Sequence, residues 1–223
     1  IEYISLHRYV GNEDGDTEDF LAVGQAIDQQ IEEMEKVCAY VQGLHKSKKR
    51  VKLSFDEWNV WYRARAGEHV DGRGKDAPPL LEEVYNLEDA LVAAQFLNSF
   101  VRHADSVKIA NLAQIVNVIA PILTKGDEMV LQSIFYPIEM FAHRREGTSL
   151  QVSVQGPDAV SKSHPGAKQI DASAIIQGQK LNVFLVNRSA SESSETIIDL
   201  GGCRLTALES GEIVTGTDPT AYN

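Results

Sequence analysis

Apolar residues recur along this chain with two different periods, and the places where one period gives way to the other mark its elements. Residues 3–7 form a short apolar run. In residues 51–57, Val51, Leu53 and Phe55 alternate with Lys52 and Ser54, which is the two-residue period of a strand. Between these runs Phe20, Val23, Ile27, Ile31, Met34, Cys38 and Val41 return at steps of three and four. That spacing predicts one helix with an apolar face, from Asp16 or Thr17 to about residue 44. Glu18 and Asp19 suit its positive N-terminus, and the basic run 46–50 suits its negative end. A second helix over about residues 87–104 is expected to bury Leu91, Ala94, Leu97, Phe100 and Val101. A third strand covers residues 107–110 and ends at Asn111. A further helix spans about residues 131–143, with Pro137 either bending it or marking its real start.

Three strand–helix units in succession predict a parallel sheet covered by helices. They fit the last part of an eight-fold β/α barrel or half of an open sheet. From about Glu146 the helical period is lost. Residues 150–154, 180–186 and 196–200 are short apolar or alternating runs, separated by Pro157, Pro165, Gly166, Gly178 and a Ser/Glu-rich segment, 189–195, that reads as an exposed hairpin loop. That punctuation belongs to a β-sandwich. The expected architecture is therefore α/β: the C-terminal part of a (β/α)8 TIM barrel over residues 1–146, then an all-β, jelly-roll-like sandwich over 147–223. Segment 63–79, polar and rich in Gly and Pro, is long for a connection and reads as a functional loop beside the site or at a subunit contact. The first residues read as a strand already under way and the last as loop, so a piece of a longer protein is expected.

Composition narrows the function classes. Of 223 residues, 43% are hydrophobic and 24% charged, as in a soluble globular protein, and the net charge of −11 argues against nucleic acid and anionic membrane as partners. It is compatible with a neutral substrate such as a sugar. Cys38 and Cys203 stand far apart, which offers no disulfide framework and favours a reducing compartment. Cys38 falls on the apolar helix side and reads as a buried thiol. No stretch approaches the ~20 apolar residues of a membrane span.

The candidate chemistry gathers after the strands. Asp56 and Glu57 end an apolar strand, among Trp58, Asn59 and Trp61, with no Gly or Pro to make a turn. A carboxylate among aromatics at a strand end suits a glycosidase, in which one carboxyl attacks the anomeric carbon and another protonates the leaving oxygen. An ion-paired or helix-capping role explains Glu57 equally well from pattern alone. Successive strand residues point to opposite faces, so regular strand geometry lets only one of Asp56 and Glu57 face the site. His7 and Tyr9 follow the first strand and Gln114 the third. His7 lacks the companions of a metal ligand and reads as a hydrogen-bonding residue.

Three segments carry a resemblance: residues 4–12 (ISLHRYVGN), 53–62 (LSFDEWNVWY) and 110–122 (ANLAQIVNVIAPI). In order and spacing they resemble the retaining α-L-arabinofuranosidases of glycoside hydrolase family 51, a (β/α)8 barrel followed by a β-sandwich. The resemblance implies that Glu57, in DEWN, is the nucleophile, that Tyr9 lies near it in the sugar pocket with His7, and that Gln114 binds furanose hydroxyls. It makes Trp61 a wall of the pocket. It implies an exo-acting enzyme releasing terminal arabinofuranosyl groups from arabinan or arabinoxylan, with no metal or cofactor, often homo-oligomeric and cytoplasmic. The family's general acid/base, a Glu after an Asn, has no counterpart at a matching place and is expected upstream. The alternatives are another retaining glycosidase on the same scaffold, cleaving xylosides or β-glucans, or an inactive carbohydrate-binding fragment.

Overall fold

The computed structural model describes residues 1–64 and 82–223. Residues 65–79 of the expected loop therefore lie outside the described residues. Three strands run parallel in the order β1-β2-β3: β1 (Tyr3–Val10), β2 (Lys52–Val60) and β3 (Val107–Leu112). All three extend beyond the expected strands, so His7, Tyr9 and Glu57 lie within strands and not after them. The first helical stretch is two helices, α1 (Thr17–Leu21) and α2 (Gly24–Leu44), and Asp16 caps α1 by accepting from the Asp19 N–H at 3.2 Å. The second is α3 (Leu87–Arg102), opened by a capping box in which Asn86 and Asp89 each accept the other's backbone N–H.

One irregularity shapes the parallel sheet. Leu6 pairs with Phe55, but His7 pairs with Glu57, so Asp56 is an extra residue in β2. On the other edge, Phe55 pairs with Ala110 and Trp58 with Leu112. Such a bulge breaks the two-residue alternation. Phe55 and Trp58, three apart, consequently both pack on α3, with ring centroids 5.0–5.3 Å from Phe96 or Phe100. Asp56 and Glu57 are both left reaching toward Ser5, His7 and Tyr9 of β1.

α3 is the hub. It packs against β2, α1, α2, α4 (Phe135–Ala142) and the second sheet. Hence its buried residues run around most of its surface: Val92, Ala93, Phe96 and Phe100, but also Gln95, Asn98 and Ser99. The expected face was displaced: Leu91, Ala94, Leu97 and Val101 are only half-buried. In α2 the apolar stripe is buried only through Ile31; Val41 is exposed and Cys38 half-buried, since the helix meets the core with its N-terminal half. The helix expected over 131–143 begins at Phe135, with Pro137 in its first turn, where a missing N–H costs no helical bond. Before it stands an antiparallel hairpin, β4 (Ile122–Lys125) and β5 (Glu128–Leu131).

The C-terminal region holds an antiparallel sheet in the order β6-β7-β8: β6 (Thr148–Leu150), β7 (Ile170–Gln177) and β8 (Lys180–Asn187). β7, the middle strand, was not expected. Its small residues Ala172, Ser173 and Ala174 are buried without alternation, so it carries no two-residue signal. Residues 196–200 form no strand; Ile197 and Ile198 stay exposed with no neighbour to pair with, so segment 189–195 is exposed but not a hairpin loop. No second sheet faces this one among the described residues. The tail instead returns to α3, where Pro219 and Ala221 carbonyls accept from Glu88 and Leu87 N–H groups that the helix itself leaves free.

Charged side chains join the two sheets through α3. Arg102 donates to Asp28 of α2 at 2.6 Å and to Asp171 of β7 at 2.9 Å, and Arg188 reaches Asp171 at 3.1 Å. Removing one member of such a network strands the others in low dielectric, so Arg102→Ala should cost about 3–5 kcal/mol, measured by urea unfolding. A second buried group sets a pH dependence. Asp89 is fully buried beside Arg63 (2.7 Å), and burial pushes its carboxyl up to about 7. A folded-state value above the unfolded one of ~3.9 means that Asp89 stabilises the fold most at low pH and that this contribution is lost as pH rises from about 4 through 7. The stability difference between the protein and Asp89→Asn, followed by unfolding at pH 4 to 8, should therefore shift against the parent protein as pH rises.

Candidate active site

The bulge brings the site together. Ser5, His7 and Tyr9 occupy alternate positions of β1 and share one face. Ser5 donates its hydroxyl to Asp56 Oδ1 at 2.7 Å. His7 stands between the two carboxylates, with Nε2 3.6 Å from Asp56 Oδ1 and Nδ1 3.4 Å from Glu57 Oε2. Tyr9 donates its phenolic hydroxyl to the same Glu57 Oε2 at 3.0 Å. The Trp61 ring meets the Tyr9 ring edge-on, centroids 5.3 Å apart, and the Trp61 backbone N–H donates to the Val10 carbonyl at 2.9 Å. Four of the five expected site residues thus form one contiguous group.

Asp56 and Glu57 both face the site, where regular strand geometry admits only one, because the extra residue turns both the same way. What separates them is their surroundings. The Ser5 hydroxyl holds the Asp56 carboxyl below the usual carboxylate range, so Asp56 is a poor proton donor. Glu57 is bound by a phenol instead. Burial, then the hydrogen bond to Glu57, pushes the Tyr9 hydroxyl up to about 12, so it stays a donor at neutral pH. The side chains of His7, Asp56 and Glu57 are between 38 and 50% exposed, which leaves Glu57 open to a ligand on the far side from Tyr9.

Gln114 stands apart. It follows β3 in the 113–119 loop, exposed, its side chain without a hydrogen bond among the described residues. Two residues were missed as individuals. Ser5 fixes Asp56, and the alternation Ser5-His7-Tyr9 was its only signal. Asn59 is fully buried and holds the 113–119 loop, donating to the carbonyls of Ala113 (2.8 Å) and Ile119 (2.5 Å). The run of residues after Glu57 showed it only as one polar residue among tryptophans. No group of three side chains suited to hold a metal ion comes together among the described residues, and no described helix is long and apolar enough to cross a membrane.

A family profile described as the alpha-L-arabinofuranosidase C-terminal domain matches residues 56–223. The chain is 39% identical over 203 residues to an intracellular exo-alpha-(1->5)-L-arabinofuranosidase of Halalkalibacterium halodurans, covering 90% of this chain and 41% of that protein. It is 40% identical over 205 residues to a protein of the same name, numbered 1, from Bacillus subtilis, covering 91% and 41%. It therefore spans about two fifths of the length of these curated relatives. Among solved structures it resembles a family 51 alpha-L-arabinofuranosidase from Bifidobacterium longum, with a TM-score of 0.90 and 27% identity over 100% of this chain and 47% of that one. A family 51 arabinofuranosidase from Xanthomonas axonopodis pv. citri matches at a TM-score of 0.69, again at 27% identity, over 86% and 39%.

Proposed function

Because the chain belongs to the family of α-L-arabinofuranosidase C-terminal domains, with family 51 enzymes as its structural neighbours, we propose that it supplies the nucleophile half of a retaining, exo-acting α-L-arabinofuranosidase. The observation that carries this reading is the contact set of Glu57: a carboxylate open to a ligand on one side, with Tyr9 at 3.0 Å and His7 at 3.4 Å on the other. Glu57 attacks the anomeric carbon of a terminal arabinofuranosyl group, forming a glycosyl ester as the leaving alcohol departs. Water then cleaves that ester with retained configuration. Tyr9 holds the carboxylate oxygen that does not attack, and the Trp61 ring beside it offers an apolar wall to the sugar. Gln114, with a free amide at the end of the neighbouring strand, binds a furanose hydroxyl.

Retention needs a second carboxyl about 5–5.5 Å from the first, one that protonates the leaving oxygen. Asp56, kept anionic by Ser5, does not suit that role. The acid/base is assigned to a longer protein containing this chain, as are the further strands that pair with the open edges of β1 and β3 to complete a (β/α)8 barrel over residues 1–146. Residues 147–223 then belong to a sandwich domain built on β6, β7 and β8. The same reading makes the enzyme a homo-oligomer acting on arabinan- or arabinoxylan-type chains, and a cytoplasmic one, as relatives named intracellular exo-alpha-(1->5)-L-arabinofuranosidases suggest.

The test uses the longer protein and an aryl α-L-arabinofuranoside. Glu57→Gln should lower turnover by roughly 10⁴- to 10⁶-fold, the scale of losing a catalytic nucleophile or its essential partner. Tyr9→Phe removes one hydrogen bond to a charged group and should cost about 10- to 100-fold in kcat/KM. Near-normal hydrolysis by Glu57→Gln would sink the assignment, and faster cleavage of xylosides or glucosides than of arabinofuranosides would move the substrate class.

A further inference from the structure

Asn59 is an amide buried to 0% exposure, two residues after Glu57 on the same strand. Every polar atom of its side chain is used. Nδ2 donates to the Ala113 carbonyl at 2.8 Å and to the Ile119 carbonyl at 2.5 Å, and Oδ1 accepts from the Val60 N–H at 2.8 Å. The Ile119 carbonyl also accepts the Gln114 N–H at 3.2 Å, and the Ala113 N–H donates to the Trp58 carbonyl at 3.2 Å. The loop that carries Gln114 is thus pinched at its neck, and both sides of the neck are tied to one side chain of the strand that carries Glu57.

The far side of the loop is fastened differently. The Asn117 N–H donates to the Ile122 carbonyl at 2.9 Å, and Asn117 Oδ1 accepts from the Thr124 N–H at 2.6 Å, so that part belongs to the β4–β5 hairpin. Removing the Asn59 amide leaves the loop tied to β2 by the Ala113 N–H alone, while its attachment to the hairpin remains. The expected consequence is displacement of Gln114 and not collapse of the loop.

We propose that Asn59 is a positioning residue that fixes Gln114 in register with Glu57, so that a sugar gripped by Gln114 presents its anomeric carbon to the Glu57 carboxylate. This rests on the function proposed above. Asn59 touches no substrate. It acts by holding two strand ends together, and a displacement of about 1 Å at such a distance is enough to cost about 100-fold in rate.

Two measurements on the longer protein test it. In the first, kcat/KM for an aryl arabinofuranoside is compared for Asn59→Ser, Gln114→Ala and the double variant, with Glu57→Gln in the same series. Each single change should lower kcat/KM by about 10- to 100-fold, and the double variant should be no worse than the poorer single one, because both remove the same grip. Effects that multiply, or an Asn59→Ser variant that loses only melting temperature, overturn the proposal. An inactive Glu57→Gln beside such a result leaves the function standing and removes only this inference. In the second, hydrogen exchange at the Gln114 amide should quicken by at least about tenfold in Asn59→Ser while exchange at Asn117 is unchanged. Unchanged exchange at Gln114 overturns the proposal whatever the activity shows. Should Asn59→Ser not fold, Asn59→Asp, which keeps the volume and the Val60 contact but not the two donors, is read in the same way.

Discussion

A single inserted residue in β2 is the constraint on which the rest depends. In a regular strand, Phe55 and Trp58 would point to opposite faces, and so would Asp56 and Glu57. With Asp56 bulged out against β1, both aromatics turn to Phe96 and Phe100 of α3, and both carboxylates turn to Ser5, His7 and Tyr9. The core and the site are therefore fixed by the same local event. The aromatic cluster holds the bulge from below, each close ring pair adding about 0.5–1.5 kcal/mol beyond its buried area. Above, two acids sit side by side, and their mutual repulsion is offset by a hydroxyl for one, a phenol for the other and an imidazole between them.

α3 carries the consequences outward. One side packs the aromatic underside of the parallel sheet. The other meets the antiparallel sheet through polar side chains: Asn98 and Arg102 both bind Asp171, Ser173 donates to Asn98 at 2.6 Å, and Gln95 accepts from Arg188 at 2.7 Å. A polar contact of this kind fixes orientation more than it adds stability, since every donor must find its one acceptor. The two sheets are thereby held at one relative position although no strand pairs between them.

Much of this was legible in the sequence, and the misses share a cause. The β1, β2 and β3 strands and the α2 helix announce themselves because a single buried face imposes a single period. Where burial is not one-sided, the period fails. α3 is covered nearly all round, so the expected stripe of Leu91, Ala94, Leu97 and Val101 missed the polar residues that are buried. β7 is enclosed on both faces through the small residues Ala172, Ser173 and Ala174 at its centre, and it left no trace. Within the site, the grouping of His7, Tyr9, Glu57 and Trp61 was legible as residues gathered at strand ends. The reason Asp56 joins them was not, because a bulge is a relation between two strands and no single strand's pattern records it. Asn59 escaped for the same reason: its partners, Ala113 and Ile119, are backbone carbonyls more than fifty residues away.

The central claim is that Glu57, and not its neighbour Asp56, forms a bond to the sugar. It is tested most directly by trapping that bond in the longer protein with an activated 2-deoxy-2-fluoro-arabinofuranoside, whose fluorine slows release of the ester, and sequencing the tryptic fragments by mass spectrometry. The account predicts a single added fluoroarabinosyl mass on the peptide that runs from Leu53 to Arg63, localised to Glu57. An adduct on Asp56 or on another peptide, or hydrolysis that proceeds with no covalent adduct, would contradict it.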